Sequence, residues 1–109
     1  MGGMAWLSIA IVAEVIATSA LKASDGFRNT LPSIVTAVGY SIAFWCMSQA
    51  IRTVPVGLAY AIWSGVGIVL ITAIAWVVFR QRIDPAGLIG IALIIAGVLV
   101  IQLFSKSTA

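Results

Sequence analysis

One residue stands apart by position. Of the nine ionisable side chains, Glu14 alone sits inside a long apolar run, about 11 residues into Met4–Leu21, while the rest lie between such runs or at their ends. An ionisable group at that depth in lipid costs roughly 2.5 kcal/mol or more, so it is expected to face a polar cavity or a partner. No Lys or Arg lies at comparable depth in any run, and burial without a cation favours the neutral acid over the carboxylate. A carboxyl that gains and loses a proton suits proton coupling, and its ionised form is a natural counter-ion for a cation arriving from outside. The plainer alternative is a protonated Glu hydrogen-bonded across helices for assembly alone.

The residues spaced around Glu14 favour a cavity. Positions three and four away on a helix share its face, which puts Ala10, Ala17 and Thr18 beside the acid, with Leu7 and Leu21 a turn further out. In the third run, Tyr60, Trp63 and Gly67 follow i, i+3, i+7 spacing with Ser64 beside them. Counted from the starts of their runs, Trp63 lies roughly 5 Å shallower than Glu14 at the helical rise per residue. Tyr40 stands eight residues past Pro32 and Glu14 eight before Lys22, so the two are level in an antiparallel hairpin. Aromatic faces around a carboxylate make a box for a lipophilic cation. Trp6 and Trp76 suit instead the aromatic belt at a membrane surface. Gly65 and Gly67 permit either a bend or close packing. Gly87, Gly90, Ala96 and Gly97 give the fourth run a small-residue face suited to helix association.

The elements that must position these residues follow from composition. The chain has 109 residues, 62% hydrophobic and 8% charged, with a mean hydropathy of +1.19; a soluble domain carries about 25% charged residues. Apolar runs at 4–21, 33–51, 56–79 and 86–104 are 18 to 24 residues long, which suits helices and exceeds membrane strands. We expect one all-α integral membrane domain of four transmembrane helices running up and down. Met4–Leu21 lacks a positive leader region and holds Glu14 mid-stretch, so it reads as a retained span and not a signal peptide.

Other classes fall away. There is no His and one Cys, Cys46, so no intrachain disulfide or ordinary zinc site is expected. The net charge of +3 makes no basic stripe for nucleic acid, and nothing suggests an enzyme. Arg52 and Lys106 fall on the side of the termini, against Lys22, Arg28, Arg80 and Arg82 on the other. That bias is slight under the positive-inside rule, consistent with insertion both ways.

Several stretches together resemble the small multidrug resistance family across nearly the whole chain, as far as Ser105. They are Ala13-Glu-Val-Ile16, Leu21-Lys-Ala-Ser-Asp-Gly-Phe27, Pro55-Val-Gly57, Ala59-Tyr-Ala-Ile-Trp-Ser-Gly-Val-Gly67 and the Gly90/Gly97 pair. The resemblance implies an antiparallel, dual-topology homodimer in the bacterial inner membrane that exports lipophilic and quaternary ammonium cations against protons. It implies that Glu14 binds substrate or protons competitively, that Tyr60 and Trp63 line the pocket with Tyr40 contributing, that the Gly65/Gly67 region bends, and that Gly90 and Gly97 form the dimer contact. Protons are then the coupling ion, with no other cofactor.

This chain departs from the multidrug pattern at Met4, Ala17 and Ala43, where relatives have Tyr, Gly and Ser. The family's guanidinium-exporting branch is similar to a Trp and Ser arrangement at the last two positions, and neither group is present here. Guanidinium export, a non-transporting membrane subunit and a Glu14-lined channel are the rival readings.

Overall fold

The computed structural model describes residues 2–104, which leaves Lys106 and the end of the family resemblance at Ser105 outside the described residues. Four helices follow one another: α1 (Gly3–Ala23), α2 (Thr30–Ala50), α3 (Val56–Phe79) and α4 (Pro85–Phe104). Each has 20 residues or more and is apolar enough to cross a membrane, since 20 residues at 1.5 Å rise span about 30 Å. Large side chains such as Leu31, Val77, Leu103 and Phe104 are more than 70% exposed. In water that would be an extensive apolar patch; in a bilayer it is the lipid-facing surface.

Two helix starts differ from the apolar runs, for local reasons. α2 opens at Thr30, three residues before Ser33, with Pro32 inside its first turn. Proline is tolerated there because first-turn amides have no intrahelical partner to lose. α4 opens at Pro85 and not Ala86. Asp84 Oδ1 accepts a hydrogen bond from the Gly87 amide at 2.9 Å, so Asp84 caps the helix and Pro85 takes its first position. The α1–α2 turn winds on Ser24, whose hydroxyl donates to the Leu21 carbonyl at 2.7 Å and accepts from the Phe27 amide at 3.1 Å. Gly26 there has φ 68°, a left-handed conformation that glycine adopts without steric cost.

Packing is uneven along the chain. α1 contacts both α2 and α3, whereas α4 packs mainly on α3. Close approach of α1 and α2 depends on Gly39, where a Cβ would stand 2.8 Å from that of Ala17 and 3.3 Å from the Ala13 carbonyl oxygen. Thr36 Oγ1 faces the same interface with one proton to give, 2.9 Å from the Pro32 carbonyl of its own helix and 3.3 Å from the Ala17 carbonyl across it. The core comprises Leu7, Ala10, Ile11 and Val15 of α1, Cys46, Met47 and Ala50 of α2, and Ala59 and Ile62 of α3. All of them lie toward the end of the bundle that carries the α2–α3 connection. Glu14 sits at the edge of this cluster.

Candidate functional site

Glu14 is half-buried on α1 and its two carboxyl oxygens have different surroundings. Oε1 accepts a hydrogen bond from Thr18 Oγ1 at 3.0 Å, the i+4 pair that helical spacing placed on one face. Thr18 Oγ1 lies 2.6 Å from Tyr40 Oη. A hydroxyl has one proton to give, so when Thr18 donates to Glu14 the phenol must donate to Thr18. The resulting chain, Tyr40 to Thr18 to Glu14, orients the carboxyl. Oε2 is buried and has no hydrogen-bond partner among the described residues, and neither has the indole Nε1–H of Trp63.

A cavity of about 330 Å³ opens beside this carboxyl, lined by Glu14, Thr18, Tyr60, Trp63, Ser64, Gly67, Ile68 and Ile71. Glycine at 67 makes room for the acid, since a Cβ there would stand 3.1 Å from Glu14 Oε2. The aromatic wall is held by ring contacts. Tyr60 tilts against Trp63 at 5.8 Å, Phe44 meets Trp63 edge to face at 5.7 Å, and Tyr40 stacks on Phe44 at 6.2 Å. These distances fall within the favourable range for aromatic pairs. A smaller cavity of about 120 Å³ adjoins the first, sharing Thr18 and Ile71 and reaching Ser19, Lys22 and Gln81. The site therefore lies between a packed core on one side and a polar-edged space on the other.

Residues 3–94 match the family model for the Small Multidrug Resistance protein. This chain belongs to the small multidrug resistance family. It is 53% identical over 109 residues to the quaternary ammonium compound-resistance protein QacE of Escherichia coli, covering 100% of this chain and 99% of the relative. It is 56% identical over 103 residues to the multidrug transporter PA4990 of Pseudomonas aeruginosa, covering 94% of each. To the multidrug transporter EmrE of Escherichia coli K12 it is 50% identical over 103 residues, again covering 94% of each. With four membrane-length helices, this member of the family is a multi-pass inner-membrane protein.

Not every site residue expected from helical spacing and from the family resemblance meets at the cavity. Glu14, Thr18, Tyr60, Trp63 and Gly67 line it. Tyr40 reaches it through Thr18 and Phe44 and not through the carboxyl itself. Ala10 does not line it: the residue is fully buried in the core with Leu7, Ile11 and Ala59, because a side chain this short stops at the α1 packing surface. Ala17 and Ala43, where the chain departs from its relatives, are also fully buried, and Ala17 meets Gly39 in the α1–α2 contact.

α3 is one continuous helix through Gly65 and Gly67. What the structure gives these glycines is space, Gly67 for the carboxyl and Gly65 for Val98 and Ile94 of α4. Gly90 and Gly97 have nothing near them, and no residue of α4 is buried. Sequence spacing did not single out Phe44, Ile68 or Ile71 as part of the site. Aliphatic residues on an all-apolar helix carry no signal, and Phe44 is identified only through its contact with Trp63.

Proposed function

We propose that this protein is a proton-coupled antiporter that exports lipophilic and quaternary ammonium cations by alternating access, as an antiparallel homodimer inserted in both orientations. The observation that carries the reading is the state of Glu14. One oxygen is held by Thr18, and the other is buried without a partner on the wall of an aromatic cavity. A cation without hydrogen-bond donors fits that wall, because its charge meets the carboxylate while its apolar groups meet the faces of Tyr60 and Trp63. A proton neutralises the same oxygen, so proton and cation compete. Such cargo is supported by the similarity to QacE, a quaternary ammonium compound-resistance protein, and to the multidrug transporters PA4990 and EmrE, and the aliphatic lining offers few donors or acceptors for a small planar cation such as guanidinium.

Four helices are too few to build two rocking halves around a central site, which supports a dimer with one Glu14 from each protomer. In such a dimer, exchanging the two protomers' conformations would switch the side to which the shared site opens. Energetics favours two protons per cation. Each proton entering down ~100 mV contributes about 2.3 kcal/mol, and each pH unit about 1.4 kcal/mol. After the charge of one expelled cation is subtracted, about 5 kcal/mol remains, enough for a gradient of several thousand-fold. A one-proton exchange would be electroneutral and sustain only about tenfold per pH unit. No cofactor beyond the proton enters the scheme, and no bond-making chemistry is involved.

Transport into proteoliposomes with an acidic interior tests the proposal. Protons leaving should drive accumulation of tetraphenylphosphonium, and a protonophore should abolish it. Absence of accumulation, or accumulation indifferent to the gradient, would favour the non-transporting subunit.

A further inference from the structure

The α3–α4 groove is not used by the Glu14 site, and its lining changes character along its length. Near the α3–α4 connection it forms a cavity of about 530 Å³ lined by Val69, Thr72, Trp76, Arg82, Ile83 and Leu88, among others. It continues past the shared Val69 into an entirely apolar cavity of about 220 Å³ between Gly65, Val66 and Leu70 of α3 and Ile95, Val98 and Leu99 of α4. From Trp76 to Gly65 is eleven residues of α3, about 16 Å at the helical rise. That is half of a hydrocarbon core about 30 Å thick, or the depth of one leaflet.

The charged end of the groove is at the membrane boundary, where α3 ends at Phe79 and α4 begins at Pro85. Among the described residues the ion pair found is Arg28 with Asp25, so neither Arg80 nor Arg82 is paired. Asp84 Oδ1 caps α4 through the Gly87 amide, and no acidic side chain lines the groove.

We propose that this groove binds an anionic phospholipid, with its phosphate on Arg82 and one acyl chain lying past Val69 toward Gly65 and Val98. An amphipathic slot one leaflet deep with a single cation at its mouth matches that chemistry. Asp84, the nearest carboxylate, has one oxygen engaged by the Gly87 amide and does not line the groove, so the charge that a headgroup meets on the lining is Arg82. Basic pockets between transmembrane helices hold anionic headgroups by the same electrostatics. The inference is independent of the transport cycle.

Trp76 on the groove wall supplies the readout. The full chain is placed in phosphatidylcholine vesicles carrying a small fraction of lipid brominated on its acyl chains, either phosphatidylglycerol or phosphatidylcholine, and tryptophan quenching is compared. Brominated phosphatidylglycerol should quench with an apparent preference of about fivefold, the weight of one cation at an anionic surface. That excess should disappear in Trp76→Phe, which removes the reporter, and in Arg82→Gln, and should persist in Arg52→Gln. Equal quenching by both lipids would overturn the proposal and fit a groove covered by a second copy of the chain. Excess quenching that survives Arg82→Gln or Trp76→Phe, or that falls equally in Arg52→Gln, would overturn it in favour of general charge attraction.

Discussion

α1 and α4 are both membrane-length and apolar, yet they do opposite work within the protomer. α1 buries Leu7, Ala10, Ile11, Ala13, Val15 and Ala17 and carries the single acid of the membrane interior, whereas α4 buries nothing and carries no polar side chain between Pro85 and Ile101. In water such a difference would mark α4 as unstable. In lipid, exposed apolar surface carries no such penalty, and helices associate through close packing of small residues. The contrast teaches that the packing around Glu14 and the open small-residue face sit on different helices. α1 with α2 and α3 builds the Glu14 cavity, and α4 leaves the open faces at Gly90 and Gly97 for another surface.

The sharpest way to break that division is Glu14→Gln. If proton and cation compete for Glu14 as proposed, wild-type affinity should rise with pH, by up to about tenfold per pH unit for each proton displaced. The variant should bind weakly and show no pH dependence, as read by cation titration across pH. Next in size is Gly97→Leu on α4. Helix content by circular dichroism should be unchanged while chemical cross-linking between copies in membranes is lost. Cross-links that persist would place the contact elsewhere.

Gly67→Val tests the cavity wall itself. The added Cβ would stand 3.1 Å from Glu14 Oε2, and overpacking of this kind costs about 1–3 kcal/mol, so cation affinity should fall roughly tenfold or more by the same titration. The hydroxyl chain gives an effect of similar size at Thr18 and the smallest at its far end, Tyr40. Thr18→Val removes a hydrogen bond to the carboxylate, worth about 1.5–3 kcal/mol when the acceptor is charged. Tyr40→Phe should cost less on its own and almost nothing in the Thr18→Val background, because its partner is already gone. A double-mutant cycle on cation affinity measures that coupling.

Much of this arrangement is legible in the residues. Four long apolar runs set the number of helices, and the i+4 interval alone pairs Glu14 with Thr18. The Tyr60–Trp63 spacing correctly puts both rings on one face of α3, now seen on the cavity wall. What periodicity does not carry is the rotation of one helix against another. Ala10 shares a face with Glu14 yet packs in the core, and Tyr40 is level with Glu14 yet bonds to Thr18. Gly67 reads from sequence as a bend or a packing point, and only the position of Glu14 Oε2 reveals it as space for the acid. The Asp84-Pro85 pair does carry a readable signal, an N-cap followed by proline, that a search for helix ends alone passes over.

The central claim is that proton and cation share the Glu14 carboxyl, and proton release measures it most directly. Tetraphenylphosphonium is added to detergent-purified protein in weak buffer, over a series of starting pH values, for wild type and Glu14→Gln. The account predicts prompt acidification with the wild type and none with the variant. Binding without proton release in the wild type, with binding intact in Glu14→Gln, would contradict it and return Glu14 to a structural role.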